Sequence, residues 1–174
     1  MKYLLDTNVF NYINKNPNSI DIFLGMKNAE FYTIDIILEK EFFGISPRNY
    51  DANCELIKEP EDADILRGNQ LKEIADILRV KLVPRYASFM LNHTKADGSC
   101  FFPPEEGRQY EMTEEIRKLK PNKRKTRPFT QEYDAMVASA AIKNDCVLIT
   151  EDGALADVVE KYYPENVVRL QDLV

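Results

Sequence analysis

Four acidic positions fall where a sheet protein could gather them. Asp6 directly follows the apolar run Tyr3-Leu4-Leu5, and a second acid lies within IILEKEFFG (residues 36–44). Asp134 stands near the start of a helix-like segment, and Asp152 follows the apolar run from Cys146 to Ile149. In an open parallel sheet, ligands bind outside the carboxyl ends of the strands, near the point where strand order reverses. Two carboxylates roughly 5 Å apart repel by about 3 kcal/mol at an effective dielectric near 20, so their convergence needs a neutralising partner. Hard divalent cations such as Mg²⁺ or Mn²⁺ prefer oxygen ligands to imidazole or thiolate. A cation held this way lowers the pKa of a water and stabilises charge on a transferring phosphodiester. The chemistry expected is therefore metal-dependent phosphodiester hydrolysis. Carboxylates are routine on helix surfaces, so Asp134 and Asp152 alone decide nothing; Asp6 at the front of the chain supplies the pattern.

The second acid has two candidates, Glu39 and Glu41. For Glu41, the positions three before, one after and four after are Leu38, Phe42 and Ile45, all apolar. For Glu39 they are Ile36, Lys40 and Phe43, which would bury a lysine. Helical packing favours Glu41 and leaves Glu39 as a solvated charge on the same helix.

The elements that must position these acids alternate in type. Tyr3 to Leu5 reads as a buried strand, Thr7-Asn8 opens a helix, and Ser19 caps a second amphipathic piece. Phe31 to Ile34 is strand-prone and runs into a helix ending near Gly44. Near the other end, Thr130 caps a helix whose face is Met136, Val137, Ala140 and Ala141. Cys146 to Ile149 and Val167 to Leu170 read as strands with a helix between them. Such alternation predicts an α/β fold with a parallel sheet covered by helices on both faces. Between the halves, residues 46–127 read as a helical insertion. Its clearest helix, Ala63 to Val80, carries the stripe Ile65, Leu66, Leu71, Ile74, Ile77 and Leu78; weaker helical stretches begin at Pro84 and Gly107. One domain of 174 residues with this insertion is the expected organisation.

Composition is that of an ordinary globular chain, 44% hydrophobic and 30% charged. No apolar run approaches the ~20 residues of a membrane helix, and no signal peptide is apparent. Three scattered cysteines, Cys54, Cys100 and Cys146, without metal-ligand spacing predict a reduced, cytoplasmic protein. His93 is the one histidine, which excludes sites built on several imidazoles. The net charge of −6 hides an uneven distribution. Arg117, Lys118, Lys120, Lys123, Arg124, Lys125 and Arg127 follow one another without an intervening acid, just ahead of the helix bearing Asp134. Lys123, Arg124, Lys125 and Arg127 are the expected contacts to a nucleic-acid backbone; the plainer reading is a solvated linker. Tyr110, Phe101 and Phe102 are stacking candidates for single-stranded RNA, against a core-anchoring role. Asn8 and Thr150 could orient a carboxylate or a metal-bound water, or serve only as helix start and strand end.

These residues resemble the PIN-domain ribonucleases. LLDTNVF (residues 4–10) is similar to that family's opening strand, acid and helix start. Asp134 in DAMVASAA resembles its third acid, and Thr150 with Asp152 in LITED resembles its closing threonine-x-acid motif. The resemblance covers about the first 45 and the last 50 residues. It implies a three-layer α/β/α fold with a short parallel sheet, and a Mg²⁺- or Mn²⁺-dependent endoribonuclease with Asp6, Glu41, Asp134 and Asp152 as catalytic metal ligands. It also implies RNA, single-stranded, as substrate, with a toxin–antitoxin role, an antitoxin-like inhibitor and a homodimer as possibilities. The long middle segment departs from the compact toxin members. A catalytically silent RNA-binding or protein-interaction module is the alternative. A phosphorylated signalling domain would need a clustered acidic pair near the first strand and a lysine at a later strand end, and neither is visible.

Overall fold

The computed structural model describes residues 1–35, 37, 41–45, 58–84, 104–119 and 129–174. Five parallel strands form one sheet: β1 (Lys2–Leu5), β2 (Glu30–Ile34), β3 (Lys81–Val83), β4 (Val147–Thr150) and β5 (Val167–Arg169), in the order β3-β2-β1-β4-β5. From β1 the chain builds outward to β2 and β3, then crosses back to lay β4 on the other side of β1. Strand order thus reverses between β1 and β4, the pair whose ends carry Asp6 and Asp152. Successive residues of a strand face opposite sides, and Leu4, Leu5, Leu148 and Ile149 are all fully buried. Both faces of the central pair are therefore covered, as expected of an α/β fold.

Six helices are described: α1 (Thr7–Lys15), α2 (Ile20–Leu24), α3 (Asp62–Ile77), α4 (Pro104–Arg117), α5 (Phe129–Lys143) and α6 (Gly153–Tyr162). Helix α1 buries Val9, Phe10 and Ile13 and packs with α3, while α4 packs with α5 and α6. The small residues Ala135, Ala138, Ala140 and Ala141 let α5 lie close, and all are buried. No helix among the described residues is long and apolar enough to cross a membrane.

Four strands fall where the apolar runs place them, and three details differ. The edge strand β3 comes from within residues 46–127, so the span expected as a helical insertion also contributes to the sheet. The stripe expected on Ala63–Val80 is only partly buried: Leu71, Ile74 and Leu78 are inside, but Ile65, Leu66 and Ile77 are exposed. What α3 buries instead includes Asp64 and Gly68, for a reason given below. Ser19 does not cap α2 with its side chain; its hydroxyl donates to the Asn16 carbonyl at 2.7 Å. The helix expected from Pro84 and the Thr130 side-chain cap lie outside what is described.

Candidate carboxylate site at the strand-order reversal

Asp6 is where β1 ends and α1 begins. Its backbone N–H still donates to the Ile149 carbonyl at 3.2 Å, extending the β1–β4 pairing by one step. Its side chain caps α1: Oδ1 accepts from the Thr7 N–H at 2.6 Å. Oδ2 accepts from Asn8 Nδ2 at 2.7 Å and from the Thr150 hydroxyl at 2.8 Å. Asn8 Nδ2 also reaches Thr150 Oγ1 at 3.1 Å, and Asn8 Oδ1 accepts from the Glu151 N–H at 2.9 Å. Thr150 Oγ1 in turn accepts from the Asp152 N–H at 3.1 Å. A side-chain lattice therefore ties the ends of β1 and β4 together around a carboxylate that is only 4% exposed. Such donors fix the orientation of a carboxylate before anything binds it.

The Thr150 hydroxyl is fully buried and serves three of these bonds. Thr150→Val keeps the volume and removes all three, leaving polar groups of Asp6, Asn8 and Asp152 with fewer partners. Unmade hydrogen bonds at buried groups cost about 1–3 kcal/mol. The urea midpoint of this variant should fall while the slope of the transition stays as in the parent.

Glu41 lies in a 3-10 turn, Glu41–Phe43. It is 5% exposed, Phe42 is buried, and Phe43 is exposed, which is the packing expected of Glu41 as the inward acid; Glu39 lies outside the described residues. Glu41 Oε2 accepts from Arg67 Nη2 at 2.8 Å, and Arg67 Nη1 donates to Asn11 Oδ1 at 2.9 Å. Arg67 thus joins the Glu41 turn to α1 from its place on α3. Two glycines make this approach possible. A Cβ on Gly68 would lie 2.5 Å from the Gly44 nitrogen and 2.7 Å from the Phe42 carbonyl oxygen. Gly44 has φ +77°, and a Cβ there would meet the Asp64 carbonyl oxygen at 2.6 Å. Backbone touches backbone here, so α3 buries a glycine where the hydrophobic pattern offers isoleucines.

Asp134, half-buried on α5, follows Tyr133, whose ring is buried and whose hydroxyl lies 3.4 Å from the Thr7 hydroxyl. Burial raises the Tyr133 phenol well above its ordinary value, and the charges of Glu41, Asp6 and Asp134 push it further the same way. The phenol stays protonated there and can donate a hydrogen bond.

Asp152 is placed differently. Its Oδ1 accepts from the N–H groups of Ala154 and Leu155 at 3.0 and 3.1 Å, capping α6. It connects to Asp6 through Thr150. Among the described residues, no three His, Cys, Asp or Glu side chains stand close enough to hold a metal ion as they are oriented. Carboxylate oxygens are the donor type that suits Mg²⁺ or Mn²⁺.

Arg117, the first residue of the basic run, is a strut. Its Nε and Nη2 donate to both Glu132 oxygens at 2.6 and 2.9 Å, joining α4 to α5. Lys123, Arg124, Lys125 and Arg127 lie outside the described residues, as do Phe101, Phe102 and His93. Cys146 is fully buried with its thiol pushed up to about 11 by burial, which keeps it protonated and unreactive at neutral pH. Sequence reasoning missed Arg67, Asn11 and Tyr133. Arg67 and Glu41 are 26 positions apart, and no local pattern links them.

Compared with protein-family models and with curated proteins, the chain matches none.

Proposed function

We propose that the protein is a divalent-metal-dependent endoribonuclease of the PIN type, acting at the strand-order reversal. The observation that carries this reading is the lattice around Asp6. A buried carboxylate is oriented by Thr150 and Asn8 across β1 and β4. Asp6, Glu41, Asp134 and Asp152 would hold Mg²⁺ or Mn²⁺, and the bound ion would supply Lewis acidity and a water of lowered pKa at the phosphodiester. Thr150 and Asn8 hold the Asp6 oxygens in place. The resemblance of LLDTNVF, DAMVASAA and LITED to the PIN motifs supports the same reading. Lys123, Arg124, Lys125 and Arg127 are proposed to hold the RNA backbone, and a toxin role with an inhibitor protein is an open extension of it.

A silent binding module is the second reading. It is favoured by two observations: Glu41 is already paired with Arg67, and Asp152 is engaged as a helix cap.

Cleavage of single-stranded RNA in Mg²⁺, Mn²⁺ or EDTA separates the two. The nuclease reading expects cutting in either metal, none in EDTA, and loss of cutting in Asp134→Asn with the circular dichroism unchanged. RNA left intact by a protein that calorimetry shows to bind no Mn²⁺ establishes the binding module instead.

A further inference from the structure

A cavity of about 140 Å³ opens beside the Asp6 lattice, at the carboxyl ends of β4 and β5. Its lining includes Tyr12 of α1, Thr150 and Glu151 at the end of β4, Gly153 at the start of α6, and Arg169 and Leu170 at the end of β5. Two of these residues are members of the lattice. Thr150 donates to Asp6 Oδ2 at 2.8 Å, and the Glu151 N–H donates to Asn8 Oδ1 at 2.9 Å. A molecule seated in the cavity therefore touches residues that orient Asp6.

Size and charge narrow the occupant. A cavity of about 150 Å³ accepts a benzene-sized ring, so this one holds a single six-membered ring and is too small to enclose a fused pair. Leu170 and Tyr12 supply apolar and aromatic surface for the faces of such a ring. Arg169 does not make the cavity an anion site. Its Nη2 donates to Asp157 and, at 3.0 Å, to Glu160. Two carboxylates thus already balance its one charge, and Glu151 adds a third acid. Phosphate is disfavoured there. A neutral ring bearing an amino group is favoured, because an ionised carboxylate accepts from N–H and has no hydrogen to offer a carbonyl.

We propose that this cavity is a base subsite that takes one pyrimidine of a single-stranded RNA, cytosine in preference to uracil. The inference rests on the nuclease reading above for RNA as the ligand class. Unpaired bases of RNA are held by stacking on aromatic side chains and by hydrogen bonds to their edges. Cytosine can donate its exocyclic amine to Glu151, a pairing natural to acidic side chains, whereas uracil presents a carbonyl at the same ring position. Gly153 keeps space at the cavity: a Cβ there would meet no atom within 4 Å, so a larger residue would occupy room the glycine leaves.

The test is the binding of fluorescein-labelled hexauridylate to the full chain, compared with the same RNA carrying one central cytidine or one central adenosine. Anisotropy is read in EDTA, so that cleavage does not enter, with circular dichroism as the fold check. The cytidine should tighten binding to the parent by at least about 5-fold, and the adenosine should not. Glu151→Gln keeps the backbone N–H that Asn8 accepts and should lose the cytidine gain; Gly153→Leu should lose it by filling the cavity. No gain from cytidine on the parent, an equal gain from adenosine, or a gain kept in either folded variant overturns the inference. Where Gly153→Leu does not fold, the parent and Glu151→Gln still decide. A parent that cuts RNA in Mn²⁺ but gains nothing from cytidine overturns the base subsite and leaves the nuclease reading standing. A parent that gains from cytidine and cuts no RNA supports the subsite and overturns the nuclease reading.

Discussion

On the proposed nuclease reading, an Asp6→Asn variant is expected to lose metal-dependent RNA cleavage by at least about 10²-fold, and on any reading it should unfold at lower urea. Partners one step removed from a metal typically contribute 10–100-fold, so a direct ligand sets a floor above that range. The stability loss follows from the donors already present. Oδ1 of Asp6 faces the Thr7 N–H, and Oδ2 faces the Asn8 amide and the Thr150 hydroxyl. An asparagine has one acceptor oxygen and one NH₂ group. In one orientation the NH₂ meets Asn8 Nδ2; flipped, it meets the Thr7 N–H. Each choice sets donor against donor in a site 4% exposed, at a cost of about 1–3 kcal/mol. Asp134→Asn is the contrast, because Asp134 is half-buried where Asp6 is almost fully buried. Single-turnover cleavage and urea titration on both variants should show activity lost in each and stability lost mainly in Asp6→Asn. Equal stability losses would mean that the lattice does not hold Asp6 as its distances indicate.

The second large effect is far from any acid in sequence. Gly68→Ala adds a single methyl where backbone atoms of Gly44 and Phe42 would lie 2.5 and 2.7 Å away. No side chain can rotate to make room, so either α3 or the Glu41 turn must move. Overpacking of well-packed interiors costs about 1–3 kcal/mol and occasionally more, and contact with backbone places this change at or above about 3 kcal/mol. The shift also separates Arg67 from Glu41. Thermal and urea unfolding should show the loss, and cleavage at a temperature where the variant is folded should fall as well. A Gly68→Ala protein as stable as the parent would contradict the close approach.

Four of the five strands were legible because each is a short apolar run ending in a polar signal. Those before Asp6 and Asp152 lead into two acids of the candidate site. Strand β3 was not legible: three residues between a helix and Pro84, with Leu82 49% exposed, give no period to detect. The burial of α3 misled for another reason. A hydrophobic stripe assumes that side chains mediate the packing, whereas Gly68 allows main chains to touch, which leaves Ile65, Leu66 and Ile77 outside. The burial of Glu41 was accessible from the apolar character of Phe42 beside it. The pairing of Glu41 with Arg67 was not, since charge pairs across tens of residues leave no periodic trace. The use of Asp152 as a cap for α6 is a role its position before Gly153-Ala154 allowed but did not require.

The bond from Thr150 to Asp6 spans 144 positions along the chain. During synthesis at about 5–20 residues per second, the two groups are made roughly 7–30 seconds apart. Until β4 is made, β1 can pair only on its β2 side, and Asp6 has no Thr150 to orient it. A nascent chain therefore carries Asp6, Asn8 and Glu41 without the assembled hydrogen-bond lattice. On the proposed ribonuclease reading, this topology withholds the candidate site until residue 150 has been made.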